Sequence, residues 1–484
     1  MPHRRPGNAR SFSRIFSPIA LALAGCLTVA AIAQQPGARR SVIVIEHVNV
    51  IPMTPDSSVL RDAAVVIEND RIVSLNGTAP TPIPADATRI DATGKWLIPG
   101  LTDMHVHVPV DGNLRPKRYP TEPPSLTFST QDIMTPYIAN GVTQIFNLDA
   151  RPEHFSQRNQ IEKGEVLGPH MALAAVINSG NSNGFSAATP SDGRQAVRDA
   201  KSQGYEFIKP YSALAADVFL AIIDESNKQG LKTVGHIPDA FQGSLDAAFV
   251  PHFGMVAHAE ELAKHSADFT DADAARFAQL LKNNGTWLSP TLTVMRWIAI
   301  QSRSLDELAA SPNLQYMHPL LQSKWLMANR YRKNGTPELA AYFDRMVDFN
   351  NRLVRACKAA GVPIVAGTDT LTSGVIGGFS LHEELQLLVA AGLTPREALD
   401  AATRQPCVWL GVDSDRGTIE PGKRADLVLL DQDPLSDIAN TRTIAAVCIN
   451  GRWTERTTLD AMLADLAKRN RDMKDQFAWP GTKK

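Results

Sequence analysis

Cysteine is scarce: 484 residues contain four, at 26, 357, 407 and 448, with no close pair among them. So sparse a set builds no disulfide framework and no thiolate metal site, which leaves nitrogen and oxygen to hold any metal. No Gly-rich phosphate loop follows any candidate strand, which argues against a dinucleotide fold. No basic block with interleaved aromatics occurs, so nucleic acid is not an expected partner. The apolar run at residues 15–30 is short for a membrane span and contains Pro18.

That run fits an export signal instead. Arg4, Arg5, Arg10 and Arg14 precede it, and Ala31-Ile32-Ala33 ends residues 1–33 as a small-residue cleavage site. Leu23-Ala24-Gly25-Cys26 also resembles a bacterial lipobox, which would put a lipid on Cys26 and anchor the protein to a membrane. On either reading the protein is exported, to the periplasm. The leader holds four of the 49 basic residues and no acid, so 45 remain against 50 acidic residues, a mature charge of −5. Hydrophobic residues make up 44% of the chain, ample for a core.

The chain is organised around the apolar stretch Trp96–Val108, which contains His105-Val106-His107. On a strand, residues i and i+2 share a face, so the two imidazoles converge. On a helix the same spacing would splay them. The pair alone is equally compatible with satisfied core histidines, so further ligands must come from elsewhere.

Residues 42–98 carry short apolar runs separated by turn residues, and residues 412–455 carry a matching set. Neither piece is large enough for its own core, so the two are expected to pair into one small β-sandwich domain. Between them, strand candidates at 103–108, 142–148, 171–177, 206–211, 232–237, 255–259, 286–292 and 363–368 alternate with helical stretches. The pattern predicts an α/β chain with a TIM-like (β/α)8 barrel over 99–411. Thr270-Asp271-Ala272-Asp273 and Thr394-Pro395-Arg396-Glu397 read as capped helix starts. Ser311-Pro312 and Thr336-Pro337 each open a long helical pattern, rich in aromatics, that serves either as core or as a lid over the barrel mouth. Residues 456–484 read as a helical tail.

In a barrel the functional groups sit at the C-terminal strand ends. His105 and His107 end the first strand, Lys209 the fourth, His236 the fifth, His258 the sixth and Asp369 the eighth. Singly, each has an ordinary explanation: a snorkelling lysine, a core histidine, a helix cap. Their joint register at five strand ends does not.

These six residues, with Pro99-Gly100-Leu101-Thr102-Asp103-Met104-His105-Val106-His107 and the return at Glu420–Val428, resemble the amidohydrolase superfamily. Leu381-His382-Glu383-Glu384-Leu385 and Ala391-Gly392-Leu393-Thr394-Pro395 are similar to its branch of imidazolonepropionase-like proteins and Xaa-Pro dipeptidases, the prolidases. The resemblance implies two divalent ions, most simply zinc given imidazole and carboxylate ligands. His105, His107 and Asp369 would hold one ion and His236 and His258 the other, bridged by a CO2-derived carbamate on Lys209. It further implies a homo-oligomeric enzyme in which metal-activated hydroxide cleaves an amide or peptide bond, with Asp369 as catalytic base. The expected substrate is a small molecule, a dipeptide such as Xaa-Pro or an N-acyl amino acid.

Deaminases and cyclic-amide hydrolases of the superfamily commonly use one metal and a glutamate three residues beyond the strand-five histidine. Asp239 stands there instead, which favours the binuclear, peptidase-like branch. Tyr211, Asn181 in the polar loop 178–184, and His382 are the candidate substrate contacts. Hydrolysis of cyclic amides, lactones or phosphoesters stays open, as does a non-catalytic exported binding protein.

Overall fold

The computed structural model describes residues 41–55, 58–76, 83–112, 125–180 and 184–477. The expected export signal with Cys26, and Asn181, lie outside them. Five strands open the described chain: β1 (Val42–Val50), β2 (Leu60–Glu68), β3 (Arg71–Leu75), β4 (Thr88–Asp91) and β5 (Trp96–Pro99). Next come β6 (Leu101–Val106), β7 (Val142–Asn147), β8 (His170–Asn178), β9 (Phe185–Ser186), β10 (Phe207–Pro210), β11 (Lys232–Gly235), β12 (Met255–Ala257) and β13 (Trp287–Ser289). The last three are β14 (Leu427–Leu430), β15 (Ile444–Ile449) and β16 (Arg452–Glu455).

The chain's two ends meet in one mixed sheet ordered β16-β15-β14-β5-β1-β2-β3, with β4 added beside β1. The join is antiparallel, Leu427 facing Pro99 and Leu429 facing Leu97. Ile45, Val65, Leu97, Leu427 and Leu429 form a buried cluster of their own there. Each end supplies what the other lacks, because neither half has enough apolar surface to stand alone.

The barrel strands run parallel in the order β6-β7-β8-β10-β11-β12-β13. The expected eighth strand, 363–368, is not a regular strand, yet its backbone closes the ring. Val365 N–H donates to the Leu288 carbonyl on one side, and on the other Met104 N–H donates to Ala366 and Asp369 N–H to His105. Met104, Phe146, Phe207, Val234, Met255 and Val365 fill the lumen. Trp409 stacks on Phe207 with ring centroids 5.2 Å apart and plugs this layer from below. The lumen is therefore packed, and only its C-terminal end is left for chemistry.

Thr394 caps its helix as predicted, with the Glu397 side chain returning to the Thr394 N–H. Thr270 likewise accepts the Asp273 N–H. Thr336 starts the 24-residue helix Pro337–Ala360. The pattern at Ser311 does not yield a long helix: a 3-10 turn at Pro312–Tyr316 breaks off before the separate helix Pro319–Met327. Pro319, lacking an N–H, starts a new helix more readily than it continues one. Trp297 and Trp325 are core, whereas Tyr316 and Tyr331 are only half-buried. The helix Arg456–Asp472 and a 3-10 turn at Lys474–Gln476 are the last elements among the described residues.

Candidate metal centre

Strand periodicity sets the positions. Phe207 belongs to the lumen layer and Lys209, two residues on, stands above it; Val234 and His236 repeat the step. Gly235 permits this, because a Cβ there would overlap the Pro210 carbonyl oxygen of the neighbouring strand. In β6 the ladder slips between Asp103 and Val106. Across that slip the lumen residue Met104 gives way to His105 and His107, whose ring centroids lie 5.4 Å apart. The slip, rather than simple alternation, aims both histidines inward.

His258, Thr291 and Asp369 have φ of +80°, +49° and +61°. Left-handed backbone at a non-glycine residue costs roughly 1–3 kcal/mol, and it gathers here where side chains must converge. Asp103 ties the floor together. Its carboxylate accepts the N–H groups of His105 (3.2 Å) and Thr368 (3.0 Å) and the Thr368 hydroxyl (2.6 Å). Burial nonetheless pushes the Asp103 carboxyl up to about 7.

Above this floor the predicted residues meet. Lys209 Nζ is 3.2 Å from His105 Nε2, which is 3.3 Å from Asp369 Oδ1; His107 Nε2 is 3.0 Å from the same oxygen. The His258 ring centroid is 4.5 Å from that of His105 and 5.0 Å from that of His236. Donor atoms of His105, His258 and Asp369 all lie within 4.8 Å of one another.

Burial lowers His105 well below its ordinary range, lowers His236, and brings His258 down to about 3, so these imidazoles are neutral at pH 7. Burial works in the opposite sense on Asp369, but the His107 hydrogen bond and the neighbouring His258 and Lys209 hold it well below the usual carboxylate range. Lys209 is lowered to about 8, chiefly by burial. Among the described residues no carboxylate lies within ion-pairing distance of its Nζ.

The outer nitrogens of His236 and His258 are engaged, whereas His105 Nδ1 is buried without a partner among the described residues. His236 Nδ1 lies 2.8 Å from Ser212 Oγ and 3.0 Å from Glu261 Oε1, and His258 Nδ1 lies 2.8 Å from Thr291 Oγ1. Such contacts fix the tautomer and leave each Nε2 lone pair for the centre. Neutral, oriented imidazoles beside an ionised carboxylate form a nitrogen–oxygen donor set that fits a divalent ion such as zinc.

Other residues line the approach. The Tyr211 ring lies 4.1 Å from that of His236, at the mouth. Asp239 is exposed on the turn Asp239–Phe241. His382 does not join the cluster and is not a contact at this mouth. Its helix, Phe379–Ala390, buries the ring with Nδ1 2.9 Å from Thr441 Oγ1. Sequence reasoning missed four residues. Ser212, Glu261 and Thr291 orient the rings of His236 and His258, with only the acidic pair Glu260-Glu261 after a strand end as a signal. Arg330 starts a short helix over the mouth, its guanidinium donating to the Tyr331 hydroxyl at 2.7 Å and its charge acting on Tyr211 and Asp369.

Comparison with known proteins bears on the fold and the family. The chain is 24% identical over 388 residues to the enamidase of Eubacterium barkeri, covering 79% of this chain and 84% of that protein. A shorter stretch, 84 residues, is 39% identical to the imidazolonepropionase of Mycolicibacterium smegmatis, covering 17% of this chain and 18% of that one. The fold matches the crystal structure of a Xaa-Pro dipeptidase with bound methionine in its active site. There the TM-score is 0.63 at 20% identity, over 86% of this chain and 100% of that chain. Residues 96–454 match the model of the amidohydrolase family throughout; the chain belongs to that family, whose members hydrolyse carbon–nitrogen amide bonds.

Proposed function

We propose that the protein hydrolyses the amide bond of a dipeptide or N-acyl amino acid at a binuclear metal centre. His105, His107 and Asp369 would hold one ion and His236 and His258 the other, and Lys209, as its carbamate, would complete the donor set. The observation that carries this reading is the convergence of His105, His258 and Asp369 donors within 4.8 Å, beside the buried amine of Lys209. The exposed position of Asp239 supports two metals over the one-metal arrangement. The basic and apolar leader supports export.

The chemistry that ions would supply there, when bound, is carbonyl polarisation and acidification of water. The side chains supply the proton path. Asp369 takes a proton from the attacking water and returns it to the nitrogen as the C–N bond breaks. His107 on Oδ1 and the Thr372 hydroxyl on Oδ2, 3.0 Å away, fix that carboxylate's orientation. Burial raises the Tyr211 phenol, so it stays protonated and can donate a hydrogen bond to the substrate carbonyl. The Lys209 ammonium first loses one proton, and addition of CO2 to the resulting amine would form an N–C bond and release a second, turning an unpaired buried cation into an anion. An ammonium there has no counter-charge within ion-pairing distance among the described residues, whereas a carbamate would be neutralised by the bound ions. The positive charge of Arg330 over the mouth supports a substrate that ends in a carboxylate.

The test is a panel of Xaa-Pro dipeptides, N-acyl amino acids, lactones and aryl phosphates, assayed alongside metal content. Turnover of the amides that disappears on chelation and returns with metal is the expected result. Preferred cleavage of lactones or phosphoesters overturns the substrate assignment. Metal content near zero after incubation with zinc and bicarbonate overturns the enzyme.

A further inference from the structure

Beside the metal centre lies a cavity of about 260 Å³. His107 and Thr370, at the ends of the first strand and the eighth barrel segment, form its border with the centre. His107 is also the accessible ligand on that side, with 28% of its side chain exposed against 0% for His105. The walls are apolar, including Phe128, Ile133, Pro136, Leu321, Leu466 and Phe477.

No free charge faces the space from the described residues. Asp132 and Arg469 both line it but neutralise each other, Nη2 to Oδ1 at 2.6 Å and Nε to Oδ2 at 3.3 Å. The His318 ring sits edge-on between Phe128 and Phe477, with centroids 4.9 and 4.7 Å away, and its Nδ1 accepts the Leu320 N–H. Burial lowers the His318 pKa, so this ring is neutral at pH 7. Asn470 donates to the Gln315 carbonyl. The side chains of Asp132, Arg469, His318 and Asn470 are thus paired with neighbouring protein groups.

One wall has a separate origin in the chain. Leu466, Arg469, Met473 and Phe477 follow the last residue of the family match, which ends at 454. The residues around the centre fall inside the matched stretch 96–454, whereas this side of the cavity is built beyond it, by the helix Arg456–Asp472 and the turn that follows.

Resting on the amide-hydrolase reading above, we propose that this cavity is the specificity pocket, taking an uncharged aromatic or branched aliphatic group of the amide substrate. Size fits: an apolar cavity of about 150 Å³ holds benzene, so this one accepts a phenyl ring with its linker. The pocket discriminates by burying that group beside His107, not by pairing a charge.

The test compares N-acetyl-L-alanine, N-phenylacetyl-L-alanine and N-acetyl-L-phenylalanine on the metal-loaded full chain. At least one phenyl substrate should exceed N-acetyl-L-alanine in kcat/KM by about tenfold or more, a ratio typical of apolar pockets. Leu321→Trp and Ile133→Trp, which fill the cavity from half-buried positions, should each collapse that ratio. Calorimetric titration with 2-phenylacetamide reads the pocket without turnover: it should bind the wild type and be lost in both variants. Turnover without a phenyl preference, or ratio and binding unchanged by both substitutions, overturns the pocket and leaves amide hydrolysis standing. Absence of any amide turnover overturns the underlying reading, and this assignment with it.

Discussion

Glu261 Oε1 lies 3.0 Å from His236 Nδ1, and the side chain of Glu261 is wholly buried. Its other oxygen accepts the Ile237 N–H at 3.0 Å, and Lys264 Nζ approaches Oε1 to 2.6 Å. Burial favours the neutral acid, but His236 and Lys264 outweigh it and hold the carboxyl well below the usual range. An ionised Glu261 therefore orients His236 and raises its basicity as a ligand. Glu261→Gln should weaken metal retention about 10- to 100-fold, the usual scale for such partners. Chelator competition measures it, with circular dichroism as a check on folding. Unchanged retention would reduce Glu261 to a structural ion pair.

Lys209 tests the bridge. Metal analysis of wild type beside Lys209→Ala should show two ions per chain falling to one or fewer. One ion in both proteins would sink the bridge and restore a mononuclear site.

Asp369→Asn separates binding from proton transfer. The amide keeps an oxygen ligand but cannot accept the water's proton, so metal should be retained while kcat falls about 100- to 10,000-fold. A substantial residual rate would remove Asp369 as the base.

The sequence exposes the ligands more readily than what holds them. His105, His107, Lys209, His236, His258 and Asp369 are unusual residues at apolar strand ends; the strand period places Lys209 and His236 on the rim, and the slip in β6 adds His105 and His107. Ser212 and Thr291 are ordinary loop residues, and their role depends on which ring nitrogen they meet in three dimensions. The cavity wall is harder still, since Phe477 reaches Phe128 only through His318. The eighth barrel segment was legible as an apolar run, but it closes the ring by scattered backbone bonds and lacks a continuous ladder. His382 misled because its motif places it on a helix without saying which face is turned away from the mouth.

Arg330 gives a test of substrate charge. Its guanidinium acts on Tyr211 and Asp369 from above the mouth. Arg330→Ala should raise KM for an N-acyl amino acid about tenfold, the scale of one charged hydrogen bond. The matching N-acyl amino acid amide, which lacks the carboxylate, should change little. Equal loss on both would assign Arg330 to lid packing.

Glu384 couples pH to stability. Its two carboxyl oxygens accept the N–H groups of Leu292 (3.0 Å) and Thr293 (2.8 Å), at the start of the helix that follows the His258 partner Thr291. Burial raises the carboxyl from an ordinary 4.5 to about 8 despite those bonds. The folded chain therefore keeps a proton that the unfolded chain releases between these values. Since stability falls with pH wherever the folded state binds more protons, this contribution is fully present below pH 4.5 and is lost as pH rises through about 8. The wild-type Tm should accordingly drop more between pH 5 and pH 8 than that of Glu384→Gln, which carries no titrating proton there. Thermal melts of both proteins across that range give the comparison, and parallel slopes would mean that Glu384 is ionised in the fold and acts purely as an acceptor for the helix start.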